Sequence, residues 1–265
     1  MPASEPVDSA RLSELLSGVT LWKEIRCVPT TGSTNADLAE RARNGTDAGI
    51  VLVSEEQTAG RGRFERRWET PAGASVAFSL LLRPSRPALD WGWLSLLAGM
   101  AVATGIERAT EAPPGRVELK WPNDVLIDGR KVCGILSERI EPEHGTAAAV
   151  VGVGINFSLD ESELPVPTAT SLRLAGLEAD KSSVLAAVFT EFARLYQVWE
   201  RDGDVHDEYA ERCASIGVPL RVMVDEQTNV LGTGESVDQW GRLVVRTPQG
   251  RQAFSAGDVF HLRLQ

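Results

Sequence analysis

Apolar residues recur along this 265-residue chain at two spacings, and the changes from one to the other mark its elements. Residues 8–16 read as a short helix and 25–28 as a strand. After Thr31-Gly32-Ser33-Thr34-Asn35, Leu38, Ala39 and Ala42 follow at helical spacing. Thr34 with Asp37 has the form of a capping box, which puts residues 33–35 at a helix N-terminus. Free N–H groups and the helix dipole there favour polar or anionic atoms. Residues 50–53 and 75–82 are apolar strands. Residues 91–106 form an apolar stretch of 16, short of the ~20 needed to span a membrane, and read as a buried core helix. A break at 112–115 leads to a strand at 117–120, a turn at 121–124 and a strand at 125–127. Asp128-Gly129 is a hairpin signal that returns the chain through Lys131 into 134–138. A further strand covers 147–153.

Val184, Val188, Phe192, Leu195 and Trp199 define an amphipathic helix over 182–201, followed by a short helix at 204–213. Beyond residue 217 the texture changes. Short alternating runs at 220–224, 230–237, 243–247, 252–255 and 259–264 read as a small β-barrel. The chain is therefore expected to be α/β (α+β), with a catalytic domain over 1–215 and a barrel over 216–265.

Composition narrows the function. Hydrophobic content of 43% and charged content of 24% are those of an ordinary folded protein. A net charge of −10 argues against a nucleic-acid footprint, which is usually basic. Cys27, Cys133 and Cys213 fit neither a disulfide framework nor a metal spacing, and His144, His206 and His261 are equally scattered. The N-terminus lacks the basic start and apolar run of a signal peptide, so a cytoplasmic protein without membrane contact is expected. The chain also lacks a P-loop, a complete G-x-G-x-x-G fingerprint, a G-x-S-x-G elbow and an H-E-x-x-H motif.

Against that acidic background, Gly60-Arg61-Gly62-Arg63, then Phe64-Glu65-Arg66-Arg67-Trp68, places four arginines in seven residues. Guanidinium groups suit phosphate or carboxylate oxygens, and the glycines allow close backbone approach. Taken alone, such a stretch reads equally well as a solvated basic loop. A second cluster, Lys120-Trp121-Pro122-Asn123-Asp124, is brought near Lys131 by the expected hairpin. A lysine beside an aspartate that could hold a metal neutralises phosphates during nucleotide chemistry, although a surface salt bridge gives the same pattern.

These segments, with Gly32 to Asn35, Glu56 to Arg63, Arg130-Lys131-x-x-Gly134-Ile135-Leu136 and Gly152-Val153-Gly154-Ile155-Asn156, resemble the biotin protein ligases in content and order. The resemblance runs from about residue 30 to the C-terminus. It implies a mixed sheet flanked by helices, like the class II aminoacyl-tRNA synthetases, and a C-terminal SH3-like barrel. It also implies ATP-dependent formation of biotinyl-5′-adenylate with Mg²⁺, then biotin transfer to a lysine of the biotin carboxyl carrier domain of an acyl-CoA carboxylase. By the same resemblance, Ser33, Thr34, Asn35, Gln57, Gly60, Arg61, Lys131, Gly134, Ile135 and Leu136 would bind biotin. Arg63, Arg66, Trp68, Lys120, Asn123, Lys131 and Asn156 would hold ATP and the adenylate, with Trp68 stacking on adenine. Lys131, Arg61, Arg63 and Asp124 would carry the chemistry, Asp124 also meeting Mg²⁺.

The chain departs from the family pattern at Phe64-Glu65-Arg66, where many members have Arg-Gly-Arg. Loss of that glycine is expected to stiffen the loop. Two rival readings share much of this pattern: a lipoyl or octanoyl ligase, and a biotin-responsive repressor. Only 32 residues precede Ser33, and they are not basic. A ligase without direct DNA binding, monomeric or homodimeric, is the expectation.

Overall fold

The computed structural model describes residues 5–68, 71–142, 145–203, 205–225 and 227–262, without the side chain of Glu65. His144 and the last residues of the strand expected at 259–264 lie outside that set, as does any effect of the Glu65 carboxylate.

A seven-stranded mixed sheet forms the centre, in the order β1-β2-β3-β7-β6-β5-β4. Its strands are β1 (Glu24–Thr31), β2 (Ile50–Gln57), β3 (Ser75–Leu82), β4 (Val117–Lys120), β5 (Asp124–Ile127), β6 (Arg130–Ile140) and β7 (Ala148–Asn156). Only β1 and β2 run parallel. Every residue of β3 and β7 is buried, so both strands are covered on both faces, which explains their unbroken apolar runs. Several strands outrun the sequence expectation. β2 continues to Gln57 because its pairing with β1 extends to Thr31, which overrides the polar character of Glu55 and Glu56.

One face of the sheet is covered by α1 (Ser9–Leu15), α3 (Trp93–Thr110) and α4 (Lys181–Asp202). The apolar stretch expected at 91–106 is α3, and most of its residues are buried. It is long and apolar enough to cross a membrane by composition alone, but here it is packed as a core helix. It approaches α4 closely at Gly105, where a Cβ would lie 2.5 Å from Val188 Cγ2. The other face carries α2 (Thr34–Arg43), which buries Leu38, Ala39 and Ala42 against Ile50, Leu52 and Val150. The cap of α2 corrects the expectation. Ser33, not Thr34, is the N-cap and accepts from the Ala36 amide, while Asp37 accepts from the Thr31 hydroxyl instead of closing a box. Thr34 is thereby left to point its hydroxyl elsewhere.

After the short helix α5 (His206–Ala210), the strands β8 (Pro219–Met223), β9 (Asn229–Val237), β10 (Leu243–Thr247), β11 (Gly250–Phe254) and β12 (Asp258–His261) make an antiparallel sheet. Its order is β11-β10-β9-β8-β12. It is fixed to the central sheet by buried indoles: Trp121 donates to the Gly241 carbonyl at 2.9 Å and Trp93 to that of Gln239 at 3.0 Å. This docking aims the turn between β11 and β12 at the arginine loop.

Candidate active site

A cleft of about 350 Å³ opens over β3, β7 and β6, and most of the residues singled out in the sequence line it. The volume suits a small ligand.

The inner end is neutral and buried. Ser33, Thr34 and Asn35, at the start of α2, meet Gln57 from the end of β2 and Ser79 from β3. Gln57 Oε1 accepts from the Thr34 amide at 2.9 Å and lies 3.1 Å from the Thr34 hydroxyl. Ser79 Oγ lies 2.7 Å from Thr34 Oγ1 and 2.6 Å from Asn35 Oδ1. The Asn35 amide nitrogen donates to the Leu136 carbonyl at 3.1 Å and to Glu138 at 2.7 Å. Every group in this set has a fixed partner, so the wall presents a rigid pattern of donors and acceptors.

The outer end is charged. The β5–β6 hairpin sets Lys131 Nζ 2.5 Å from Asp124 Oδ1, as the Asp128-Gly129 turn led one to expect. Arg63 donates to Asn123 Oδ1 at 3.2 Å and to the Gly257 carbonyl at 3.1 Å. Burial pulls the Arg63 pKa down, opposed by Asp258 and Asp124, yet a guanidinium remains charged at any physiological pH. Arg61 pairs with Glu138 at 3.0 Å, Arg66 with Asp258, and Arg67 donates to the Thr58 carbonyl.

The arginine loop is folded onto itself. The Trp68 amide donates to the Gly60 carbonyl, that of Gly62 to the Arg66 carbonyl, and Arg61 bridges Arg67. Gly60 is required here, because a Cβ would stand 2.3 Å from the Trp68 carbonyl oxygen. Phe64 takes a left-handed conformation at φ 54° and ψ 44°. The Arg63 guanidinium lies over its ring at 4.8 Å. Trp68 rests on the sheet rather than standing clear of it. Its indole packs where Cβ atoms on Gly134 and Gly154 would be, and Lys131 Nζ lies 5.7 Å from the ring centroid. The indole N–H is buried and has no hydrogen-bond partner among the described residues.

Three expected residues sit differently from the rest. Gly60 lines the outer side of the loop, not the cleft. Lys120 also lies outside the cleft wall, with its ammonium 6.0 Å over the Phe260 ring. Burial lowers the Lys120 pKa, while Asp124 counters this. Asn156 does line the cleft, but its amide nitrogen donates to the Thr170 carbonyl at 3.0 Å and its oxygen faces Ser75.

Four further residues belong to the site and were missed. Ser79 had a visible signal, a hydroxyl inside an otherwise apolar strand. Glu138 had a weaker one, a carboxylate on a strand flanking the cleft. Gly152 is needed because a Cβ would fall 2.0 Å from Asn35 Oδ1. Asp258 had none, since only the docking of the C-terminal sheet brings it to Arg66.

Comparison with known proteins places the chain in a family. Residues 27–156 match the biotin/lipoate A/B protein ligase family. The chain is 39% identical to the biotin--[acetyl-CoA-carboxylase] ligase of Mycobacterium tuberculosis over 97% of each chain. It is 33% identical to the bifunctional ligase/repressor BirA of Bacillus subtilis over 86% of this chain and 70% of that one. Among solved structures, biotin protein ligase from Aquifex aeolicus in complex with biotin and ATP superposes with a TM-score of 0.76 at 25% identity. That match covers 92% of this chain and all of the other. The chain belongs to the biotin/lipoate A/B protein ligase family. Within that family it falls among the biotin protein ligases.

Proposed function

We propose that this protein activates biotin with ATP to biotinyl-5′-adenylate, releasing pyrophosphate. It then transfers the biotinyl group to a lysine of a biotin carboxyl carrier domain of an acyl-CoA carboxylase. The observation that carries this reading is the polarity of one continuous cleft, with a neutral hydrogen-bonding pocket at one end and Lys131, Asp124, Arg61 and Arg63 at the other. Biotin has the matching form: a neutral ureido head, an apolar tail and a terminal carboxylate.

A carboxylate does not acylate an amine directly, because oxide would have to leave. In the first step a biotin carboxylate oxygen bonds to the α-phosphorus of ATP, the bond to the bridging oxygen breaks, and pyrophosphate departs. Two anions must meet for this. Lys131, Arg61 and Arg63 offset their repulsion and the charge of the transition state, and a single such donor is worth about 3–4 kcal/mol. In the second step the unprotonated carrier lysine attacks the acyl carbon, AMP leaves with the bonding pair, and the ammonium proton passes to solvent. The loop over the cleft keeps water from the anhydride.

The donor set fits Mg²⁺ delivered with ATP. That ion keeps water and phosphate ligands and needs only one or two carboxylates, and Asp124 supplies one on the cleft wall. Bound there, Mg²⁺ would neutralise phosphate charge. Ser33, Thr34, Asn35 and Gln57 would read the biotin head, with Gly134, Ile135 and Leu136 along the tail. Asn123 and Asn156 would face the nucleotide, joined by Trp68 once its indole leaves the glycine floor. We further assign residues 1–215 to the catalytic domain, 216–265 to the C-terminal domain, and the protein to the cytoplasm. ATP–pyrophosphate exchange with biotin or lipoate added separately tests the reading. Stimulation by biotin alone supports it, and stimulation by lipoate alone overturns it.

A further inference from the structure

The arginine loop and the neutral pocket are joined by a single string of polar side-chain contacts that passes through Glu138. From the rim inward it runs Arg61, Glu138, Asn35, Ser79, Thr34, Gln57. It crosses five separate parts of the chain: the loop, β6, the start of α2, β3 and the last residue of β2. Nothing in local sequence would require these parts to be connected. Glu138 is its only charged member apart from Arg61. One carboxylate oxygen, Oε2, accepts from both neighbours, at 3.0 Å from Arg61 Nη2 and 2.7 Å from Asn35 Nδ2.

The carboxylate, together with the Leu136 carbonyl, also fixes the direction of the string. An ionised carboxylate and the Leu136 carbonyl both only accept, so between them they turn the Asn35 amide nitrogen to β6 and its oxygen to Ser79. An amide oxygen only accepts as well, and Ser79 has one proton. That proton is therefore given to Asn35, and Ser79 is left to accept from Thr34. The Thr34 hydroxyl has one proton for Ser79 and the Gln57 oxygen, so one of these two contacts shares no proton, and either way its oxygen keeps a lone pair for an N–H group of a ligand. At the other end, the pairing to Glu138 engages Nη2 of Arg61, one corner of a group with five donors. The rest of the guanidinium stays available at the cleft rim, where Arg61 lines the wall.

We infer that Glu138 is a positioning residue for the adenylation step. It holds Arg61 at the rim in register with the ligand carboxylate, and through Asn35 it reinforces, together with the Leu136 carbonyl, the hydrogen-bond polarity of the pocket that reads the ligand head. Head recognition and charge placement are thereby coupled through one side chain that contacts neither reacting atom. The inference rests on the biotin ligase reading.

The two roles separate by substitution. Glu138→Gln is nearly isosteric, and its amide oxygen still accepts from Asn35 while the charge that holds Arg61 is gone. Glu138→Ala removes both. Biotin affinity without ATP, measured by calorimetry, reads the head pocket, and pyrophosphate-exchange kcat reads Arg61. For Glu138→Gln the expected result is a biotin Kd within threefold of wild type and a kcat lowered about fivefold. For Glu138→Ala, Kd is expected to rise at least tenfold as well. In an Arg61→Ala background, Glu138→Gln is expected to lower kcat no further, since its only route to the reaction has been removed. An undiminished, about fivefold loss in that background overturns the inference. So does a Glu138→Gln variant whose kcat equals that of wild type. Wild-type protein run alongside keeps the two readings apart: if biotin stimulates no exchange there, the ligase assignment fails, whatever the variants do.

Discussion

At its inner end the cleft is walled by Ser33, Thr34, Asn35 and Ser79, which are 5%, 2%, 5% and 0% exposed and neutral. At its mouth the side chains of Arg61 and Arg66 are 47% and 61% exposed and paired to carboxylates. The inner wall is rigid because each polar atom is buried, and an unmade hydrogen bond there costs the full desolvation of the group. The mouth is held by ion pairs that water and salt weaken, each worth no more than about 1 kcal/mol. A neutral head group is best read by a fixed wall. Charges that must rearrange as pyrophosphate leaves are best supplied by side chains that exchange partners cheaply.

The contrast is broken most severely at Lys131, whose Nζ stands 2.5 Å from Asp124 among the arginines. Lys131→Ala is expected to lower the adenylation rate by about 10²- to 10³-fold, the value of one preorganised donor. Single-turnover formation of adenylate measures it. The inner wall comes next. Thr34→Val removes a hydroxyl that sits between Gln57 and Ser79, and the unmet partners should cost about 1–3 kcal/mol in biotin binding. Biotin Kd, with kcat little changed at saturation, distinguishes this from a catalytic loss. Gly152→Ala should act on stability first. Its new Cβ would fall 2.0 Å from Asn35 Oδ1 in a fully buried strand, and such overpacking costs about 1–3 kcal/mol in a denaturant titration.

Two smaller effects sharpen the comparison. Asp258→Asn removes the partner of an exposed guanidinium and is expected to change ATP affinity by less than about 1 kcal/mol, read as KM for ATP. A large effect would mean that the mouth is as rigid as the pocket. The smallest is a pH effect at the junction of the two sheets. His261 meets Ser215 Oγ at 2.9 Å, and burial, then Lys120, lowers its pKa from 6.5. The unfolded chain therefore binds the His261 proton more readily. Stability from this group is complete above pH 6.5 and is lost as pH falls from there toward the lowered folded value. Tm should fall over that window in wild type and fall less in His261→Gln.

Much of this was legible in the sequence, for definite reasons. The span of β3, the amphipathic pattern of α4 and the Asp128-Gly129 hairpin depend on local rules, and each emerged close to its expected place. The hairpin made the Lys131–Asp124 pair foreseeable, because a tight turn fixes which residues return to which. The cap of α2 was misplaced by one residue, since Ser33 and Thr34 have the same capping chemistry and only backbone conformation separates them. Lys120 belonged to the right motif, yet packing against Phe260 turned it from the cleft. Ser79, Glu138 and Asp258 meet partners 44, 103 and 192 residues away. Such contacts follow from strand order and from the docking of the C-terminal sheet, which no short-range pattern encodes.

The central claim is that one cleft divides recognition from chemistry, with the head read inside and the anhydride made at the mouth. It is tested most directly by measuring biotin Kd and biotin-dependent ATP–pyrophosphate exchange together on wild type and Lys131→Ala. The account predicts exchange that requires biotin in wild type, and a loss of about 100-fold or more in the variant with Kd changed less than about tenfold. Exchange that survives in Lys131→Ala, or biotin affinity that collapses in step with the rate, would contradict it.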